Sequence, residues 1–124
     1  MKVFVLALAM LALPALAQTK LVKEFPAGAT ALGPEAMKAR FTPGTEFTFR
    51  SAEGYEVRLN FQEGGHATVI APIASDAGKW RIDGSSVCFE LRRFASGCNE
   101  VKAVGNVLYW KRVSNDEVVR LEQK

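Results

Sequence analysis

The sequence predicts a mainly β domain, an antiparallel meander of about eight strands that forms a curved sheet or half-barrel with one short N-terminal helix. From Glu46 onward, apolar residues alternate with polar ones, which is the period of a half-buried strand. Turn signals such as Glu63-Gly64-Gly65 and Asp83-Gly84 recur at short intervals, as they do in hairpins. No helical pattern separates these segments, which argues against parallel βαβ units.

The first 17 residues predict a secretory signal peptide. Lys2 supplies a positive charge, residues 3–13 are all apolar, and residues 15–17 read Ala-Leu-Ala before Gln18. The apolar run is shorter than the roughly 20 residues of a transmembrane helix. We therefore expect cleavage at about Ala17/Gln18 and an exported protein, periplasmic or secreted, without a transmembrane segment.

The remaining chain divides into a lead-in and one domain. Residues 18–31 have no clear period and predict an extended lead-in, and residues 32–124 suffice for a single β-rich domain. Cleavage would leave 15 bases against 13 acids, a formal charge of +2. So small a charge argues against nucleic-acid binding. The basic doublets at 92–93 and 111–112 are typical of solvated strand ends, with contact to an anionic partner as the alternative.

A short helix is predicted ahead of the strands. Pro34 suits the first helical position and Glu35 suits the positive end of the helix dipole. The helix extends to Phe41, and Thr-Pro-Gly at 42–44 ends it. Met37 and Phe41 must then be buried against one end of the sheet.

The register of the first strands is open. A three-residue loop at 63–65 would turn Ala67 and alternate residues after it inward, whereas a two-residue turn would instead turn His66 and its alternates inward. The sequence does not choose between them. The predicted strands cover residues 46–50, 55–62, 66–71, 78–82, 86–92, 98–104, 107–113 and 117–122.

The register of the later strands is better determined. In an oxidising compartment, Cys88 and Cys98 predict a disulfide, which closes an 11-residue loop and stabilises the fold by about 2.5–3 kcal/mol. Pairing these cysteines places the disulfide on the outer face. Short turns before and after that hairpin, and one near Asn115, then set Trp80 opposite Phe89, Val101 opposite Trp110 and Trp110 opposite Leu121. The predicted inner face is Trp80, Ile82, Val87, Phe89, Leu91, Val101, Ala103, Leu108, Trp110 and Leu121.

No motif predicts a catalytic site or a metal site. His66 is the one histidine of the chain and is typical of an exposed strand end. The cysteines lack C-x-x-C spacing, and a single histidine does not complete a zinc ligand set. Neither a nucleophile elbow nor a phosphate loop is present. We therefore expect no enzyme, no cofactor and no metal.

The aromatic residues give the clearest indication of function. Most are expected in the core, but part of the set could line a cavity, as small curved sheets allow. We expect a non-enzymatic binding domain for a small apolar ligand. One alternative is a protein-interaction module, such as an inhibitor or envelope accessory protein, with an envelope protein as partner. Another is a small hydrolase with acids grouped around His66. The candidate ligand-facing residues are Trp80, Phe89, Trp110, Phe61 and Phe49.

The run Gly78-Lys79-Trp80-Arg81, Asp83-Gly84, Cys88 and Cys98 resembles the G-x-W, turn, cysteine, cysteine segment of small exported bacterial proteins of unknown function. The resemblance covers about residues 41–113. It implies a periplasmic β-rich domain with a disulfide hairpin and no particular activity. The G-x-W motif is also similar to that of lipocalins, where it lies on the first barrel strand. Here it lies on the predicted fourth strand, so no lipocalin ligand is implied.

Overall fold

The computed structural model describes residues 21–124, and the predicted signal peptide at 1–17 lies outside them. In the described chain all strand pairings are antiparallel, and eight strands form a closed barrel with one short extra strand. The elements are β1 (Thr30–Ala31), α1 (Pro34–Arg40), β2 (Glu46–Arg50), β3 (Glu56–Phe61), a 3-10 turn (Glu63–Gly65), β4 (His66–Ile70), β5 (Ser75–Asp83), β6 (Ser86–Glu90), β7 (Gly97–Val104), β8 (Val107–Lys111) and β9 (Val118–Gln123).

Closure of the barrel is the main feature that the sequence did not determine. Strands β2 to β8 each pair with the next strand in the chain, as the meander predicts. In addition, β2 pairs with β9 through Phe47 opposite Gln123 and Thr48 opposite Glu122. The sheet is therefore closed, where the prediction offered a curved sheet or half-barrel. A closed sheet leaves no free edge among these eight strands.

The lead-in lies along the outside of the barrel. Its last residues form β1, in which Thr30 pairs with Ala103 of β7. Further back, the Val118 backbone N–H donates to the Val22 carbonyl oxygen at 2.6 Å. The ring of Phe25 lies 4.9 Å from the Lys102 ammonium, within the range of a cation–π contact. The extended lead-in expected from the sequence is thus held against the barrel from residue 22 onward.

Several predicted registers are confirmed. Cys88 lies opposite Cys98 and the two form the disulfide. The three-residue loop after β3 is the one adopted, since Gln62 N–H donates to the His66 carbonyl at 2.8 Å and Ala67 is buried. The other confirmed pairs are Trp80 with Phe89 and Val101 with Trp110, and the same registers set Ile82 opposite Val87 and Ala103 opposite Leu108.

One predicted register is wrong by two residues. Trp110 lies opposite Val119, not Leu121, which instead lies opposite Leu108. The turn between β8 and β9 is centred one residue earlier in the chain than predicted: the Arg112 N–H donates to the Glu117 carbonyl oxygen at 2.7 Å, and Asp116, with a φ of 64°, lies inside the turn. A slip of two residues preserves the side of the sheet that each residue faces, so Leu121 is still buried.

Helix α1 closes one end of the barrel, which we call the lower end. Met37 is 0 % exposed, and the Phe41 ring lies 5.1 Å from Phe47 and 5.7 Å from Phe61. Among the described residues, no helix is long and apolar enough to cross a membrane. The opposite, upper end carries the connections at 51–55, 71–74, 91–96 and 112–117.

Candidate functional site

The upper end of the barrel opens into a cavity of about 370 Å³, which we call the cup. The upper connections form its rim, and the inward side chains of several strands form its wall. Because α1 fills the lower end, the cup has a floor as well as walls. The wall is mainly apolar and includes Phe49, Val57, Leu59, Val69, Phe89 and Trp110.

Three of the five predicted ligand-facing residues line the cup. Trp110 lies in its wall, with the rings of Phe49 and Phe89 centred 6.3 and 5.9 Å away, both edge to face. The other two contribute to the lower part of the barrel. Phe61 is 1 % exposed, and Trp80 donates from Nε1 to the carbonyl oxygen of Gln62 at 3.2 Å, next to the turn after β3.

The β6–β7 loop forms one side of the cup, and a buried carboxylate holds it in place. Strands β5 and β6 pair only as far as Lys79 opposite Glu90. Beyond that point the side chain of Asp76, rather than backbone hydrogen bonds between strands, connects β5 to the β6–β7 loop. Its Oδ2 accepts hydrogen bonds from the backbone N–H groups of Arg93 and Phe94. Since Arg93 and Phe94 line the cup, Asp76 sets the shape of the cup without lining it.

Hydrogen bonding keeps Asp76 ionised. Asp76 is 8 % exposed, and this burial raises its pKa. Hydrogen bonds from backbone N–H groups, those of Phe94 and Arg93 foremost, lower it, and the net result is a pKa below the ordinary 3.8. Each of these donors favours the charged carboxylate over the neutral acid. The loop is therefore held by charge-assisted hydrogen bonds at neutral pH.

We expect the Asp76→Asn variant to be less stable than the wild type at pH 7 and to show a weaker acid dependence. Because the folded pKa lies below the unfolded 3.8, the contribution of Asp76 is complete above pH 3.8 and is lost as the pH falls through the folded value. Thermal unfolding measured by circular dichroism from pH 7 to about pH 2 tests this. A difference in melting temperature that stays constant over that range contradicts it.

A buried ion pair supports the neighbouring part of the rim, in the β8–β9 connection. Arg112 Nη1 lies 2.8 Å from Glu117 Oε1, and the two side chains are 19 % and 5 % exposed. The Arg112 guanidinium also lies 5.0 Å from the centre of the Phe49 ring. Arg112 is thus partly buried and paired, which differs from the solvated strand end predicted for the doublet at 111–112.

Asn99 fixes a second part of the rim, and each of its two polar atoms makes a hydrogen bond within the protein. Its Nδ2 donates to the Val87 carbonyl oxygen at 3.0 Å, and its Oδ1 accepts from the Val113 backbone N–H at 2.9 Å. Asn99 is 4 % exposed. Its two hydrogen bonds satisfy a buried amide and hold the loop after β8 against β7.

His66 does not line the cup, and neither does Glu46, Glu56, Asp83 or Glu90, the acids considered for a hydrolase. His66 is exposed at the start of β4 and faces outward, because its neighbour Ala67 is buried. Asp76 faces inward, since it pairs with the buried Val69. His66 lines a larger, shallower groove of about 960 Å³ together with Asp76 and Glu90, and the polar, open lining of this groove is less typical of a ligand site.

One group of residues has the spacing of a metal site among residues 21–124. It consists of Asp83, Cys88 and Cys98. Both sulfurs are joined in the disulfide, and a metal requires thiolates. This group therefore does not provide a zinc ligand set in the oxidised protein.

Asp76 and Asn99 were not singled out by the sequence. Asp76 falls in a segment predicted to precede its strand, but it lies an even number of residues from Trp80. Asn99 likewise lies two residues from Val101. Both could have been identified as polar residues at positions whose alternate neighbours along the strand face the interior.

Comparison with known proteins adds no relative. The chain matches no family model, and it has no significant match among the curated proteins or among the solved structures. The resemblance of residues 41–113 to small exported proteins stays an expectation. The geometry of the cup is therefore the basis on which a function can be inferred.

Proposed function

We propose that this protein is an exported, non-enzymatic binding protein that holds a small, mainly apolar ligand in the cup. The observation that carries the proposal is a mainly apolar cavity of about 370 Å³ inside a closed barrel. Eight strands enclose a space that either fills with side chains or holds one small ligand. Here the lower half is filled by rings and the upper half is open.

The size and stiffness of the cup support binding. Ligand pockets usually measure about 300–1,000 Å³, and the cup lies within that range. Its wall stands on paired strands, and its rim is tied down by Asp76, Asn99 and the Arg112–Glu117 pair. A preformed site loses little conformational entropy on binding. Apolar contact then contributes roughly 25 cal/mol for each Å² removed from water.

The disulfide supports a location outside the cytoplasm. Cys88 and Cys98 are joined, and structural disulfides persist mainly in oxidising compartments. Together with the signal peptide predicted at residues 1–17, this favours export, with the periplasm as the proposed site of action.

The polar groups of the cup favour binding over catalysis. Both polar groups of Asn99 are used within the protein, and Arg112 is paired with Glu117. The cup lining includes neither histidine nor carboxylate. A general base within reach of a bound ligand is what acid–base hydrolysis requires.

Filling the cup should abolish ligand binding without unfolding the barrel. Ala71 lines the cup at the end of β4, so we expect Ala71→Trp to lower the affinity for N-phenyl-1-naphthylamine, a neutral apolar fluorophore, by about tenfold or more. The control is Ala77→Trp, at an exposed position of β5 outside the cup. Fluorescence titration gives the affinity, and circular dichroism shows that each variant is folded.

Two results would contradict the proposal. The wild-type protein could fail to bind the fluorophore at all. Alternatively, Ala71→Trp and Ala77→Trp could bind it equally well, which would place the fluorophore outside the cup.

A second candidate, a protein-interaction module, is favoured by one exposed side chain. Ile73 is 95 % exposed at the tip of the β4–β5 loop on the rim. Exposed aliphatic residues of this kind occur at protein contacts. An envelope protein that is retained by the wild type and lost with Ile73→Ser would support this function. Equal retention would remove the candidate.

A further inference from the structure

We propose that the ligand of the cup is an anionic amphiphile, with an apolar body in the cup and a carboxylate or similar anionic group at the rim beside Arg93. This inference rests on the proposed function and adds the chemical class of the ligand. It is carried by the charges that line the cup and by the way the two arginines are held.

The charges of the cup have one sign. Of its 16 lining residues, the charged ones are Arg93 and Arg112. The apolar wall lies below them and the rim carries both arginines. This separation of apolar wall and basic rim matches a ligand that has an apolar part and an anionic end. A cationic end would meet like charge at the rim, which disfavours binding.

The two arginines differ in how much charge they offer a ligand. Arg112 is paired with Glu117 at 2.8 Å, so most of its charge is compensated. Arg93 makes no ion pair within residues 21–124. Its guanidinium can therefore donate to an incoming anion, and guanidinium favours a planar carboxylate because two parallel hydrogen bonds form.

Arg93 is also well placed, because its backbone is fixed. The Arg93 N–H donates to Asp76 Oδ2, and the next residue, Phe94, donates to the same oxygen at 3.0 Å. The side chain thus extends from a loop whose backbone is held by a buried carboxylate. Because the backbone of Arg93 is already held in place, less entropy is lost when its guanidinium contacts a ligand.

The cup also limits the length of the apolar body. Its volume of about 370 Å³ lies near the lower end of the roughly 300–1,000 Å³ that is usual for small-molecule pockets. A medium-chain carboxylic acid or a small aromatic acid fits this volume. A long-chain lipid would extend out of the cup.

The experiment compares three ligands of equal length that differ in charge: octanoate, octanol and octylammonium. Each competes with N-phenyl-1-naphthylamine, which is neutral and reports on the cup itself. We expect octanoate to compete about threefold to tenfold better than octanol, with octylammonium the weakest, and the preference to shrink as salt is raised.

Matched variants test the role of Arg93. Arg93→Gln should abolish the preference for octanoate and leave octanol competition unchanged, because the backbone N–H that Asp76 binds is retained. Arg92→Gln, which removes an equal charge from a neighbouring exposed residue outside the cup lining, should keep the preference.

The outcomes separate the two proposals. If the fluorophore binds and octanoate competes no better than octanol, the ligand class is wrong while the cup remains a binding site. An equal loss of preference in Arg93→Gln and Arg92→Gln would indicate general surface charge and would also overturn the role of Arg93. If the fluorophore does not bind the wild type, the proposed function itself fails.

Discussion

Replacing Gly78 with alanine is expected to destabilise the barrel by about 3 kcal/mol or more. A Cβ on Gly78 would overlap the carbonyl oxygen of Glu90 and would lie 3.1 Å from Leu91 Cδ2. The oxygen belongs to the backbone of β6, so no change of rotamer relieves the overlap. Either β5 or β6 must move, at the point where the two strands separate. Urea unfolding of wild type and variant measures the difference.

Gly33→Ala is the matched control for this prediction. A Cβ at Gly33 meets nothing within 4 Å, and its φ of −74° is accessible to alanine. Loss of the glycine at the start of α1 should lower stability by about 1 kcal/mol or less. Equal destabilisation by Gly33→Ala and Gly78→Ala would show that the overlap is relieved and the prediction wrong.

Around Gly78 the sequence predicts the strand pairing, but it does not predict why position 78 must be a glycine. The glycine and Trp80 were recognised as a G-x-W motif, and Trp80 was correctly set opposite Phe89. The requirement for glycine cannot be read from the sequence, because it arises from the close approach of the Glu90 carbonyl oxygen to position 78. That approach depends on how far β5 and β6 remain paired, which local alternation does not encode.

The same difference between local and long-range contacts explains which strand registers are predicted correctly. Short turns and the disulfide fix the pairing of β5 to β8 from nearby residues, and those pairs are confirmed. The turn between Arg112 and Glu117 is centred one residue earlier than predicted and contains a residue at positive φ, so the β8–β9 pairing differs from the prediction by two residues. Closure between β2 and β9 joins residues more than 70 positions apart, for which the sequence pattern carries no local signal.

The residues of the cup show the same difference between local and long-range information. Phe89 and Trp110 are predicted from the register of their strands and Phe49 from the aromatic set, and all three line the cup. Arg93 was noted only as part of a basic doublet, since its place on the rim depends on the loop conformation set by Asp76. The sequence therefore predicts which strand side chains face inward, but not their height in the barrel, since Phe61 and Trp80 do not line the cup. The loop residues of the rim depend on tertiary contacts.

Removing the disulfide is expected to lower the free energy of unfolding by about 2.5–3 kcal/mol while leaving the cup intact. The bond between Cys88 and Cys98 closes a short loop and restricts the unfolded chain, so its loss chiefly stabilises the unfolded state. The pairing of β6 with β7 does not require the bond, because Val87 lies opposite Asn99 and is fully buried.

The double variant Cys88→Ala/Cys98→Ala, unfolded in urea beside the wild type, measures this effect. A thiol reductant should lower the stability of the wild type toward that of the variant and leave the variant unchanged, which separates loss of the bond from loss of the side chains. Binding of N-phenyl-1-naphthylamine below the unfolding transition should be the same in both proteins, because the cup is lined by other residues. A variant that is folded but no longer binds the fluorophore would show instead that the bond shapes the β6–β7 loop, and with it the rim around Arg93.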